Sequence, residues 1–281
     1  MNKNNIKNVN TLYDLGYSSG IISLNDICNN IFVSKSTGTV DYRGLIKMVI
    51  DGGYDFSLDK FYKLDEKRRD ITKIKLLFKA LARNEGKMVS NAFIKRYIKN
   101  NYNVDIDIDT VSSYISILSD LSITNNTRPF LSNIGYNVKV MQKEKRHFID
   151  PCIVCSILDL GVEDLVKDIF FFMTLFEALV ERDIKIYVST FGGKVYHYYN
   201  YKNRKIDIVI ELADGEWCAF EVKLGTYAIE EASKNLLKIS NSIKESGGRP
   251  PKVLCVICGM SKYAYMRPDG VYVVPITALK N

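Results

Sequence analysis

The sequence predicts a mixed α/β protein of the α+β type, with helices filling its first half and strands gathered in its last third. Three observations predict this. Apolar residues recur at helical spacing through Ile74, Leu77, Phe78 and Leu81, and again through Val111, Tyr114, Ile115, Leu118 and Leu121. Two apolar runs, Ile206-Asp207-Ile208-Val209-Ile210-Glu211 and Trp217 to Lys223, flank an Asp214-Gly215 turn signal and read as paired strands. A chain of 281 residues with 47% hydrophobic and 25% charged content is long enough for a substantial core of ordinary globular composition.

The elements divide into three parts: residues 1–70, 71–145 and 146–281. In the first, Ser23 is placed to cap a helix from Leu24, and a helix over about Tyr42 to Ile50 stops at Gly52-Gly53. The charge run from Lys63 to Asp70 reads as a solvated linker or helix entry. In the second, Gly86 ends the first helix, Ser90 caps the next (Phe93, Ile94, Tyr97, Ile98), and Asp109 caps a third. Three short helices so spaced suggest a winged helix-turn-helix. The third helix offers Ser112, Ser113, Ser116, Ser119 and Asp120, a poor set for reading base edges. Lys95, Arg96 and Lys99 on the second helix could touch a nucleic-acid backbone.

The third part carries the chemistry. Side chains alternate along a strand, so Glu221 and Lys223 share one face, and a three-residue turn such as Ala213 to Gly215 puts Asp207 on that same face. Two carboxylates and an ammonium converge beside apolar strand residues, a cluster costly to desolvate unless its charges pair or bind a cation. Two carboxylates can hold Mg²⁺ or Mn²⁺, and an adjacent lysine can orient water or stabilise charge developing on a phosphate.

Other candidates carry less. Cys255 and Cys258 lie in an apolar strand and point to opposite faces, so they do not chelate one ion; Cys152 and Cys155 read as small buried hydrophobes after Pro151. His147 and His197 are isolated and read as packing or surface residues, with His197 a weak candidate for substrate contact. Phe191-Gly192-Gly193-Lys194 reads as a turn before a strand, and the chain has no GxxxxGK[ST] phosphate loop. The net charge of +7 is compatible with a polyanionic partner. With no apolar run of membrane-spanning length and no signal-peptide pattern, a cytoplasmic location without membrane contact is expected.

The Asp207 and Glu221-Val222-Lys223 pattern resembles the PD-(D/E)xK nuclease superfamily, whose restriction-endonuclease-like core has the order αβββαβ. The resemblance implies a helix near Leu165 to Glu181, strands near Ile184 to Val188, Ile206 to Glu211 and Trp217 to Lys223, a helix near Ala228 to Ile243, and a strand near Lys252 to Ile257. It implies Asp207, Glu221, Lys223 and the helical Glu177 as catalytic residues, and Asp207, Glu221 and the Val222 carbonyl as ligands of Mg²⁺ or Mn²⁺. Landmarks along the chain extend the likeness. They include Leu24-Asn25-Asp26-Ile27, Ile50-Asp51-Gly52-Gly53-Tyr54, Leu81-Ala82-Arg83-Asn84-Glu85-Gly86, His147-Phe148-Ile149-Asp150 and Leu175-Phe176-Glu177. Together they resemble the C-terminal portion of bacterial and archaeal AAA-type ATPases that bear such a module. Residues 1–70 would then be a remnant of the ATPase lid or linker. The missing phosphate loop means that no ATP is expected here: either this is a truncated relative, or the ATPase is a separate chain. The implied function is metal-dependent hydrolysis of DNA; the alternative is an inactive regulatory or adaptor module that binds a partner protein or nucleic acid.

Overall fold

The computed structural model describes residues 9–54, 70–132, 135 and 139–281. Most of the charge run read as a linker, residues 63–69, lies outside the described residues. The fold is mixed α/β, as the sequence predicts.

The N-terminal part contributes strand β1 (Ile22–Ser23), helix α1 (Leu24–Cys28), strand β2 (Lys35–Ser36) and helix α2 (Tyr42–Asp51). Ser23 caps α1 by accepting the Asp26 N–H at 3.3 Å, and Gly52 ends α2 at a φ of 56°. A side chain at Gly53 would collide with the Asn10 carbonyl, so the close approach of these two strands of chain requires glycine there.

Three helices follow, α3 (Ile71–Ala82), α4 (Asn91–Tyr102) and α5 (Ile108–Asp120), packed α3 on α4 and α4 on α5. Ser90 caps α4 through the Phe93 N–H at 3.2 Å. Helix α5 is capped by Asp107, two residues before the Asp109 expected for that role: Asp107 accepts the Asp109 N–H at 2.8 Å, and the helix therefore starts at Ile108. Antiparallel bridges then join Thr124 to Phe148 and Thr127 to Lys145, and Phe148 stacks on Phe78 of α3.

The rest of the chain holds strand β3 (Arg128–Pro129), helices α6 (Pro151–Leu158), α7 (Val162–Lys167) and α8 (Ile169–Thr190), and strands β4 (Lys194–Tyr199), β5 (Lys205–Glu211) and β6 (Trp217–Lys223). Helix α9 (Ile229–Glu245) and strands β7 (Val253–Cys258), β8 (Tyr263–Met266), β9 (Tyr272–Pro275) and β10 (Leu279–Lys280) complete it. The order α8-β4-β5-β6-α9-β7 is αβββαβ. Its strands form the centre of one sheet, in the order β2-β8-β9-β7-β6-β5-β4-β3, so the N-terminal β2 and the middle β3 form its two edges. Strand β1 pairs separately with β10.

One expected strand is absent. Residues Ile184 to Val188 belong to α8, which runs on to Thr190 rather than stopping near Glu181. Ile184, Tyr187 and Val188 continue the buried stripe of Phe172, Leu175, Phe176, Leu179 and Val180 at three- and four-residue spacing. A short apolar run does not by itself separate strand from buried helix. Gly192, at a φ of 77°, makes the turn into the true first strand, β4.

The sheet is buried on both faces. Ile208, Ile210, Cys218, Phe220 and Ile257 pack toward α8, while Val209, Trp217, Ala219, Val256 and Cys258 pack with Leu236, Ile239 and Ile243 of α9. Cys255 and Cys258 thus face opposite sides, as their spacing predicts, and all six cysteines are free and buried. Each fully buried aliphatic side chain contributes roughly 1.5–3 kcal/mol.

A buried ionic triad joins the parts. The Arg182 guanidinium donates to Asp150 Oδ2 at 2.6 Å and to Asp183 Oδ1 at 2.6 and 2.8 Å. Asp150 also accepts the Gly53 and Cys152 N–H groups, and Asp183 accepts the Leu12 N–H. Replacing Arg182 by Met strands two buried carboxylates, so denaturant unfolding should show a loss of about 3–5 kcal/mol. A loss under about 1 kcal/mol, the scale of exposed pairs, would contradict this role.

Candidate active site

The site is built where the β5–β6 ladder ends. Residues Leu212 and Glu216 close a three-residue turn, with Gly215 at a φ of 80°. The register then runs from Glu211–Trp217 to Ile208–Phe220, which sets Asp207 opposite Glu221 at the next step. There the side chain of Asp207 enters the ladder: its Oδ2 accepts the Val222 N–H at 3.0 Å. A strand residue directs its N–H and C=O to the same neighbour, so the Val222 carbonyl faces the β5 side as well.

Both carboxylates are 2% exposed, and each has a lysine beside it. Lys205 Nζ is 3.0 Å from Asp207 Oδ1, and Lys223 Nζ is 2.8 Å from Glu221 Oε2. Asn235 of α9 donates to Glu221 Oε1 at 2.8 Å and to the Lys205 carbonyl at 2.9 Å, fastening the helix to both strands. Asp207, Glu221, Val222 and Lys223 therefore come together as the sequence predicts. Glu177, on α8, reaches the cluster through Lys145, whose Nζ lies 2.6 Å from Glu177 Oε1 and 3.3 Å from the Asp207 carbonyl oxygen.

Behind Lys145 a second row of charges is buried. Glu181 Oε2 is 3.6 Å from Lys145 Nζ and 3.3 Å from His147 Nε2, and Glu181 Oε1 is 3.0 Å from Lys185 Nζ and accepts the Thr127 hydroxyl. His147 Nδ1 lies 2.8 Å from Glu85 Oε1 at the end of the α3 turn. His147 is therefore neither surface nor mere packing. His197 is buried with its Nε2 3.0 Å from the Lys143 carbonyl oxygen, and burial with the neighbouring Lys145 pushes it down to about 4.

Sequence reasoning missed Lys145, Lys205 and Asn235. Lys205 had a signal: it lies two residues before Asp207 and so shares its strand face. Lys145 and Asn235 arrive from other elements and had none.

The two carboxyls are driven apart electrostatically. Burial, and next the charge of Asp207, push Glu221 up to about 8. Burial also opposes ionisation of Asp207, but Lys205, Lys223, Lys145 and the Val222 N–H override it and hold Asp207 down at about 2. Close acidic pairs behave this way when no cation relieves them.

The donors fit a hard, hydrated cation better than a closed cage. Among the described residues, no group of three or more His, Cys, Asp and Glu side chains is arranged to hold a metal. Mg²⁺, however, is commonly bound by one or two carboxylates with water filling the rest, and Asp207, Glu221 and the Val222 carbonyl are the oxygens that could hold one here.

Residues 174–279 match a domain of unknown function, DUF4143. This is a domain found in AAA-ATPase-associated proteins. Residues 57–164 match a second domain of unknown function, DUF8612. The first match contains Glu177, Asp207, Glu221 and Lys223, and the second contains Glu85, Lys145 and His147. No curated protein and no solved structure matches the chain. No helix among the described residues is long and apolar enough to cross a membrane.

The metal-free protein should lose stability as pH rises. A Glu221 carboxyl raised from its ordinary 4.5 to about 8 stays protonated when folded but ionises when unfolded, so the folded state is progressively disfavoured across that interval. His147 acts in the same direction. Burial opposes its charge, but Glu181 and Glu85 raise it above 6.5, so its contribution is present below 6.5 and lost above. Thermal unfolding between pH 6 and pH 9 should show a falling midpoint, with a shallower fall in Glu221→Gln. A midpoint that rises over this range would contradict the assignment.

Proposed function

We propose that this chain is a metal-dependent DNA nuclease that hydrolyses phosphodiester bonds with Mg²⁺ or Mn²⁺ as cofactor. The observation that carries the reading is the convergence of Asp207, Glu221 and Lys223 at the open end of one strand pair, with Glu177 brought in from α8. The cation would supply Lewis acidity and an acidified water. Asp207, Glu221 and the Val222 carbonyl would hold it. Lys223, beside Glu221, is placed to orient the attacking water and to stabilise charge on the phosphate, and Glu177 assists from the helix. The basic chain suits a nucleic-acid substrate. The association of DUF4143 with AAA-ATPase proteins supports an ATPase as a partner.

One observation favours a second reading, an inactive adaptor that binds protein or nucleic acid. Lys205 and Lys223 lie against the two acids where a cation would sit, and Lys95 and Lys99 of α4 lie 3.8 and 3.7 Å from Asp105 rather than standing clear for phosphate.

Cleavage of linear, nicked and branched DNA with Mn²⁺ separates the two. The nuclease reading expects cleavage that falls by about 10²-fold or more in Asp207→Asn and in Lys223→Met. Cleavage that persists in both variants, or a wild-type protein that cuts none of these substrates, would overturn it in favour of the adaptor.

A further inference from the structure

We propose that Lys145 is a positioning residue of this site, holding the Glu177 carboxylate and the start of β5 in working register. The inference rests on the nuclease reading and names a residue outside the αβββαβ core.

Lys145 belongs to the 139–148 segment, which precedes the β5 and β6 strands in the chain and reaches them only by tertiary contact. Its side chain is only 12% exposed. The ammonium is 2.6 Å from Glu177, 3.6 Å from Glu181 and 3.3 Å from the carbonyl oxygen of Asp207. Two of its donors are used on two elements, Glu177 of α8 and the Asp207 carbonyl of β5, while Glu181 adds its charge at 3.6 Å. The carbonyl belongs to the main chain of the residue whose side chain is the first acid of the site. A lysine that merely neutralised a helix carboxylate would not need that contact.

Its own backbone is fixed on both sides. Lys145 and Thr127 exchange N–H to carbonyl bonds at 2.9 Å in both directions. Arg146 accepts from Gly86 at 2.8 Å and donates to Lys87 at 3.1 Å. The segment is thus pinned to the α3 turn, and Glu181, shared with His147 and Lys185, closes the back of the ammonium's seat. Burial works against its charge, but Glu177, Glu181 and Asp207 together raise its pKa, so it remains an ammonium at any pH where the site works. Lys145 thereby joins the DUF8612 segment to the acids of the DUF4143 segment, and Glu177 is held toward the sheet instead of turning to solvent.

The test uses the full chain with Lys145→Met, Lys145→Arg, Glu177→Gln and the Lys145→Met/Glu177→Gln pair. It measures Mn²⁺-dependent cleavage of linear DNA, with kcat and KM separated, and thermal unfolding. Lys145→Met should lower kcat by about 10- to 100-fold while KM stays within about two-fold. Lys145→Arg, which keeps the charge, should recover most of the rate. The double variant should be no slower than the slower single one, because the two groups act as a unit. A Lys145→Met protein that keeps kcat within about two-fold of wild type would overturn the proposal, as would losses that multiply in the double variant. If Lys145→Met does not fold, Glu177→Gln decides: unchanged kcat overturns the proposal, and a fall comparable to that stated above supports it. A wild-type protein without Mn²⁺-dependent cleavage overturns the nuclease reading and this proposal with it; active wild type with unaffected Lys145 variants overturns this proposal alone.

Discussion

Helix α8 carries three consecutive charged residues, Glu181, Arg182 and Asp183, into the interior, and burial obliges each to find a partner. The other segments are tied in by meeting that demand. Arg182 and Asp183 draw in Asp150 and, through backbone N–H groups, Leu12 and Gly53. Glu181 draws in Thr127, Lys145, His147 and Lys185. One turn earlier, Glu177 meets Lys145 and so the strand bearing Asp207. Such pairs add little net stability against a well-packed apolar alternative, yet breaking one side is costly, so they fix which segment sits where. The same helix therefore organises both the core and the candidate site.

Within the site the governing conflict is between two carboxyls. Asp207 and Glu221 face each other at a ladder end with almost no solvent; the lysines hold Asp207 ionised, while burial and the charge of Asp207 push Glu221 up. Strand termini suit such a conflict, because Asp207 can replace a missing ladder partner by taking the Val222 N–H. Asn235 then locks Glu221 from α9. The side chains of the site are thus held by hydrogen bonds from three elements, β5, β6 and α9.

Much of this was legible in the sequence, for physical reasons that differ by element. The β5–β6 hairpin could be read almost residue by residue, since the period of two and the Asp-Gly turn fix both register and face. The caps at Ser23 and Ser90 follow from local hydrogen bonding. The stretch from Ile184 to Val188 misled because Ile184, Ile186 and Val188 alternate as in a strand, and only the buried stripe it continues from Phe172 makes it helix. The edge strands β2 and β3 are short and defined by partners distant in the chain. For the site, Asp207, Glu221 and Lys223 were visible as a motif. Lys145 and Asn235 were not, because tertiary contact alone brings them there, and His147 showed no sign in sequence of its two carboxylate neighbours.

The proposed function requires that Asp207 and Glu221 form one cation site whose place the lysines hold in the metal-free state. A crystal structure of the protein soaked in Mn²⁺ tests it most directly. The account predicts one cation with oxygens of both carboxylates and the Val222 carbonyl at about 2.0–2.6 Å, and Lys205 drawn away from Asp207. Unchanged lysine–carboxylate pairs with no cation between the acids would contradict it.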